Sequence, residues 1–360
     1  MTITAAGPRR LGPDRARPVG PDLLAQPVDI DVNLRPGQSR EARNLPGYPT
    51  LAVDLAARSI TAAADLDVFH AVIRLSDGCD AVDAGSCFER ARRLAEQFAV
   101  LRESIHPGVR TTVDPFAVAL GADGVWGVAA DGEIDYPRTV DLIEYSADQL
   151  ARAGADQLVT LGRVDAEVAA CRRGIEAAGA ATRIASFSPN TETSTAYVYL
   201  EHGHDTGQKI HPGNTDQMLL WALLDIWSGT NTVLVKPMEN LHVMARLAEF
   251  LSQPKLALEY LNGATARAAA LGSRWAAATL ESLLASPAEF MTYMSAATLG
   301  AYAVSGSTYM LRLVAEDRGP GQALNRLHEM WIEAAAAMGS HASILIDRNA
   351  VTAQRGTVLH

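Results

Sequence analysis

The sequence predicts one α/β domain, a (β/α)8 TIM barrel with an N-terminal extended arm. Three observations carry this. Short apolar runs recur along the chain, nearly every one followed by a helical stretch, and eight such strands can be counted. Several of the helical stretches close on a glycine, at Gly154, Gly179 and Gly229. One run, Thr232-Val233-Leu234-Val235, reads as a strand buried on both faces and ends in Lys236-Pro237. A doubly wound sheet is the competing architecture, but no glycine-rich phosphate fingerprint follows any strand. The expected organisation is an arm over 1–22, the barrel over 23–345 and a tail over 346–360.

Residues 1–22 are rich in Pro, Gly and Arg without periodicity, which suits an arm that becomes ordered on a second subunit. Pro27 to Val32 alternates apolar and acidic residues as a first strand, Leu45-Pro46-Gly47-Tyr48 reads as a turn, and a helix follows near 51–63. Further strands are expected at 68–73, 110–114, 157–160, 182–187, 232–235, 255–261 and 301–304. Helices are expected at 87–102, 137–153, 165–178, 216–227, 240–252 and 322–338, with a longer helical region after 261.

The composition narrows the function. The 360 residues carry a net charge of −10, which argues against a nucleic-acid surface. No apolar run reaches membrane-spanning length, and the N-terminus has no apolar h-region. Cys79, Cys87 and Cys171 are scattered and odd in number, as expected of a cytoplasmic protein without a disulfide framework. Walker, CxxC, zincin and nucleophile-elbow motifs are absent.

Lys236 is the residue around which chemistry is expected. The carboxyl end of a barrel strand is where such folds place their reactive groups. A lysine there can form an imine if its amine is neutral, and at an ordinary pKa only roughly one in a thousand is neutral at pH 7. Desolvation or a nearby cation has to lower that pKa by about three units. The plainer reading is a lysine that leaves the strand end for water.

With the strands placed, Gly229-Thr230-Asn231-Thr232-Val233-Leu234-Val235-Lys236-Pro237 resembles the G-A-D-M-x-M-V-K-P strand of the porphobilinogen synthase (5-aminolevulinate dehydratase) family. Leu45-Pro46-Gly47, Asp131-Gly132-Glu133-Ile134-Asp135 and Ala153-Gly154-Ala155-Asp156 are similar to its M-P-G, D-G-E-V-D and A-G-A-D segments, in order. Leu256 to Gly263 is set against its A-x-Y-x-V-S-G-E segment. The resemblance spans about 24 to 315. It implies an enzyme that joins two 5-aminolevulinate molecules through two lysine imines, with Lys236 holding the first-bound substrate and Asp114 near the reacting centre.

The departures from the family pattern are as informative. The family's second lysine, in S-Y-S-A-K, is replaced by Asn190 in Ser186-Phe187-Ser188-Pro189-Asn190. Its three zinc cysteines fall on Phe116, Val118 and Trp126, so no metal and no cofactor is expected. Its two carboxylate-clamping arginines fall at Leu200 and near Asp205, and its V-S-G-E serine falls at Asn262. The serine of its S-D-M-M-D-G-R segment falls at Leu161, while Asp165 remains. A glutamine of its lid falls at Lys209, which can raise the reactivity of Lys236 by like-charge repulsion, bind a carboxylate, or lie solvated in the lid.

Among other candidates, His202, His204, Asp205 and His211 form a polar loop with no strong zinc spacing, and Cys79 with Cys87 read as plain thiols. Glu259 is a candidate acid or base if its strand presents it to the barrel mouth, and a strand-end charge otherwise. Trp221 and Trp227 share a helix and read as core. The expected enzyme is a Schiff-base-forming lyase. Lys236, Asp114 and Glu259 are its catalytic candidates, and Lys209, Asn190, Asn262 and Asp165 its substrate-binding candidates. It takes a small keto or amino-keto acid in a specialised biosynthetic pathway, as a homo-oligomer assembled through the arm. A non-catalytic ligand- or partner-binding relative, and a true porphobilinogen synthase with a rearranged second site, are the alternatives.

Overall fold

The computed structural model describes residues 19–42, 45–78, 84–121, 124–130, 133–191, 193 and 208–359. Eight parallel strands form its centre: β1 (Leu24–Asp31), β2 (His70–Ser76), β3 (Arg110–Asp114), β4 (Gln157–Thr160), β5 (Arg183–Ser186), β6 (Thr232–Val235), β7 (Thr298–Tyr302) and β8 (Ala342–Ile346). Each pairs with its neighbour in sequence. β8 returns to β1, Leu24 opposite Leu345 and Ala25 opposite Ile346, and so closes the barrel. A hairpin of Ser39–Ala42 and Leu45–Leu51 lies beside β1, so the residues expected as a turn at 45–48 begin a strand.

Alternation along the strands sorts side chains between the barrel interior and the helical layer. On β6, Val233 and Val235 pack outward, while Leu234 packs with Tyr302 and Ile344. Gly300 on β7 is required there, because a Cβ would lie 2.4 Å from Ile344 Cγ2 and 2.6 Å from Leu234 Cδ2. One layer below, the interior is polar. His70 Nε2 meets Thr112 Oγ1 at 2.8 Å, Thr112 donates to Gln157 Oε1 at 2.9 Å, and Gln157 donates to Thr232 Oγ1 at 3.3 Å. Burial pushes the pKa of His70 down to about 3, so this barrel-floor imidazole is neutral at neutral pH.

The helices around the barrel are α1 (Val53–Ala64), α2 (Ala84–Ser104), α3 (Tyr136–Arg152), α4 (Glu167–Ala178), α5 (Thr215–Trp227) and α6 (Leu241–Ser252). Each lies close to its sequence expectation. α3 starts where the Asp135 carboxylate accepts from the Arg138 amide at 3.1 Å, and α4 ends on Gly179 in the left-handed conformation.

Between α6 and β7 the structure departs from expectation. Residues 255–261, expected as the seventh strand, lie in α7 (Pro254–Asn262). Three more short helices follow: α8 (Ala264–Ala270), α9 (Arg274–Ala285) and α10 (Pro287–Ala296). Pro254 at the first helical turn is the overlooked start signal. Burial of Ala257 and Leu261, four apart, with Lys255 and Glu259 exposed, is a helical period. This added layer packs on α5 and α6, and Trp221 of α5 stacks on Trp275 of α9 with centroids 5.3 Å apart.

After β7 come α11 (Ser305–Arg318) and α12 (Pro320–Met338), then β8, the strand the sequence reading missed, and a final turn of helix, α13 (Ala350–Gln354). Residues expected to begin a tail at 346 include Asp347, Arg348 and Asn349, each at most 3 % exposed. Among the described residues no helix is long and apolar enough to cross a membrane.

Candidate active site

The inward parity of β6 that buries Leu234 carries on to Lys236, which is 9 % exposed at the carboxyl end of the barrel. Its backbone is fixed by the segment after β5: Lys236 N donates to Pro189 O at 3.0 Å, and Thr191 N donates to Lys236 O at 3.0 Å. Buried Asn190 lies between those two contacts, bridged to Lys236. Two aromatic rings flank the amine. Lys236 Nζ is 4.8 Å from the Tyr302 centroid and 5.6 Å from that of Phe187.

Asp114 ends β3 in register with Arg74 of β2. Its Oδ1 accepts from the Phe116 amide at 2.9 Å. Burial raises its pKa above the ordinary carboxylate value, against the opposing pull of Arg74 and Lys236. Arg74 pairs with Asp29 of β1. Its guanidinium and that of Arg163, in the loop after β4, lie 5.8 Å and 5.2 Å from the Phe116 ring. Arg163 is buried and donates to Gln208 Oε1 at 3.2 Å. Its loop is gathered by one carboxylate. Glu167, at the start of α4, accepts from the amides of Leu161, Gly162, Arg163 and Val164. Lys209 reaches the same loop by donating to the carbonyl of Leu161. From the far side Arg348, two residues past β8, donates to Ala303 O at 3.2 Å and lies 5.8 Å from the Tyr302 ring and 5.0 Å from that of Tyr48.

Lys236, Asp114, Asn190 and Lys209 therefore line one cavity, together with Arg74, Arg163 and Arg348. It is narrow, about 20 Å³, and adjoins a second cavity of about 210 Å³ with which it shares Arg163 and Lys209. Asp165 lines the second cavity, where Ser273 of the added helices donates to its carboxylate. Glu259 and Asn262 are not brought here. Both are exposed on α7, and Asn262 Nδ2 bonds back to Leu258 O at 2.9 Å. The Y-x-V-S-G pattern instead falls on Tyr302-Ala303-Val304-Ser305-Gly306 at the end of β7, so its serine is the buried Ser305 and not Asn262.

The three arginines and Tyr302 were missed by the sequence reading. Arg74 was detectable as a lone cation inside an apolar strand, whereas Arg348 required the eighth strand to be recognised first. Phe116, Val118 and Trp126 are buried, and the Trp126 indole donates to Phe116 O at 2.9 Å, so these positions offer no donors to a zinc ion. Among the described residues no three His, Cys, Asp or Glu side chains cluster as metal ligands. His202, His204, Asp205 and Cys79 lie outside the described residues. His211 is exposed, and Cys87 is buried.

The family model for delta-aminolevulinic acid dehydratase matches residues 19–283. The delta-aminolevulinic acid dehydratase of Bradyrhizobium diazoefficiens is 29% identical over 287 residues, which cover 73% of this chain and 78% of that protein. That of Archaeoglobus fulgidus is 23% identical over 234 residues, 61% of this chain and 70% of the relative. A crystal structure of the Toxoplasma gondii enzyme, in complex with its reaction product porphobilinogen, superposes with a TM-score of 0.70 at 21% identity, over 94% of this chain and 85% of that one. A barrel closed by eight strands, with a buried lysine at the mouth and a family match over most of its length, places this chain in the delta-aminolevulinic acid dehydratase family.

Proposed function

We propose that the protein is a Schiff-base-forming lyase of this family acting on a small keto or amino-keto acid through Lys236. The observation that carries the reading is the burial of this amine in one cavity with Asp114, at the reactive end of the barrel. Burial disfavours a charged amine, and the imine reading requires the neutral, nucleophilic form. Its nitrogen adds to the ketone carbon, the oxygen takes up protons and leaves as water, and an iminium remains. The iminium draws electrons from the neighbouring carbon, whose proton passes to a carboxylate; Asp114 is the group in reach of that role. Phe187 and Tyr302 wall the nitrogen and keep water away. Asn190, held against the backbone of Lys236, orients the acid. Lys209 and Arg163 border both cavities, so movement of these long side chains opens the narrow one to a substrate.

The test is borohydride reduction with 5-aminolevulinate and related keto acids, read by intact mass. The expected adduct has the mass of the acid less water plus two hydrogens. It is present in the native protein and absent in Lys236→Ala. No adduct with any acid refutes the imine and favours a non-catalytic, ligand-binding relative.

A second reading has a specific observation behind it. Lys209 and Lys236 line the same cavity, as two imine formers of a true porphobilinogen synthase must. With Asn190 in place of the family lysine and no zinc donors at Phe116, Val118 and Trp126, the expected rate of porphobilinogen formation from 5-aminolevulinate is far below that of the named relatives. This suits a specialised pathway. A comparable rate, measured by pyrrole colorimetry, overturns the specialised role.

A further inference from the structure

We propose that Asp225, on α5 outside the barrel wall, is a positioning residue for the Lys236 amine, acting through the hydroxyls of Ser186 and Ser188 on the segment that walls and pins that lysine. The proposal rests on the imine reading and adds a control to the same site.

The end of β5 divides its side chains between two sides. Ser186 closes the strand, and Ser186 and Ser188 both donate to one oxygen of Asp225, Oδ2. Phe187 between them turns the other way, into the cavity of Lys236. Its ring lies 5.6 Å from Lys236 Nζ and 5.5 Å from the Tyr302 ring. The next residue, Pro189, offers the carbonyl that accepts from the Lys236 amide at 3.0 Å. The residues held by Asp225 are thus the immediate chain neighbours of those that hold the lysine.

The segment is closely packed and internally bonded. It lies on Gly162, where a Cβ would come within 2.7 Å of Phe187 O and 2.9 Å of Ser188 Cα. Ser188 N donates to Ser186 Oγ at 3.1 Å, and Asn190 N donates to Ser188 O at 2.7 Å. On the other side, Thr230, at the approach to β6, donates its amide to Asp225 O at 2.9 Å. Asp225 therefore joins the end of β5 to the start of the lysine strand, and a change at its carboxyl is passed to Phe187 and Pro189 through bonds already in place.

A carboxyl is an expensive way to fill this position. Every other buried residue of α5 is apolar, and an apolar side chain costs less to bury. Asp225 and Ser188 also line the cavity of about 210 Å³, which has room for water, so protons can reach the carboxyl. The charged groups around it are Glu167 of α4 and, on the walls of the same cavity, Arg163, Asp165 and Lys209. Burial lifts the pKa of Asp225 to about 7. An ionised Oδ2 draws the two hydroxyls more strongly than a protonated carboxyl does, so the segment behind Lys236 tightens as Asp225 ionises.

The test compares the full native chain with Asp225→Asn, which can accept from both serines but does not titrate. The rate of adduct formation with 4-oxopentanoate is followed by cyanoborohydride trapping and intact mass. This acid does not titrate between about pH 6 and about 8. The ratio of native to variant rate cancels the ionisation of Lys236 itself. It is expected to rise about fivefold from about pH 6 to about 8. A flat ratio overturns the proposal. A falling ratio also overturns it, because a carboxylate acting on the amine through space keeps that amine protonated. Ser186→Ala combined with Ser188→Ala, checked for native thermal unfolding, retains the carboxyl and is expected to give a flat ratio to Asp225→Asn. A ratio that still rises bypasses the hydroxyls and overturns the proposal. Acetylation of Lys236 by acetic anhydride, read by peptide mass, gives the same comparison without an imine. Adducts with a flat ratio leave the imine and remove the positioning role. No adduct, with a rising acetylation ratio, leaves the positioning role and removes the imine.

Discussion

Asp225 on α5 shows how much one buried carboxyl can matter. It is 4 % exposed and accepts from the hydroxyls of Ser186 and Ser188, which flank Phe187 next to the site. Burial lifts its pKa from 3.8 to about 7 despite those two hydrogen bonds. A carboxyl with a raised folded-state pKa supports the fold while it is protonated in both states. That support fades as pH climbs from about 4 to about 7, since the unfolded chain ionises first, and the full swing is about 4 kcal/mol. Asp225→Asn is expected to gain stability relative to the native protein across that interval and to keep a constant offset above it. Urea unfolding at a series of pH values reads the difference, and a pH-independent difference contradicts the account. At this scale the sequence was most legible where a residue broke its context. Lys236 ends an apolar strand and Asp114 ends another, and both reached the site. Glu259 and Asn262 did not, because their assignment was inherited from a misread element rather than from their own surroundings.

Strand periodicity and helix periodicity compete in Lys255-Leu256-Ala257-Leu258-Glu259-Tyr260-Leu261. Leu256, Leu258 and Tyr260 alternate as a strand does, yet Ala257 and Leu261 are the buried pair, and the segment is helical. The true eighth strand offers only Ile344-Leu345-Ile346 as a continuous apolar run, too short to stand out beside longer helical patterns. Seven barrel strands were thus legible and one was displaced onto a helix. Helix packing has its own tight points. α4 crosses α3 at Gly174, where a Cβ would sit 2.1 Å from the Glu144 carbonyl oxygen. Gly174→Ala forces the two helices apart and is expected to cost about 3 kcal/mol, seen as a lower urea midpoint at an unchanged slope. A midpoint within error of the native one shows that the helices part freely. The same helix, through Glu167, holds the loop that carries Arg163, so the variant is also expected to weaken binding of the acid.

For the molecule as a whole, closure is the organising fact. Removing residues 340–360 takes away β8, leaves β1 and β7 with unpaired edges, and deletes Arg348. The shortened chain is expected to lose its cooperative urea transition and to associate on a sizing column. A sharp transition and an elution volume like those of the native chain refute the need for closure. The overall architecture was legible because helices repeat between strands with few interruptions; of the four added helices, α7 was read as a strand and α8 to α10 were anticipated only as one longer helical region, since nothing in a barrel's repeat marks where an insertion divides. Their effect is local: Trp275 lines the cavity beside the site, and Ser273 donates to Asp165 on its wall.

The pairing of Leu24 with Leu345 has a consequence in time as well as in space. The strand that leaves the ribosome first waits for a partner made roughly 320 residues later. During that interval the nascent chain already displays Lys236, but not Arg348, which lines the same cavity. A chain stalled short of β8 therefore holds Lys236 beside a barrel that has not yet closed.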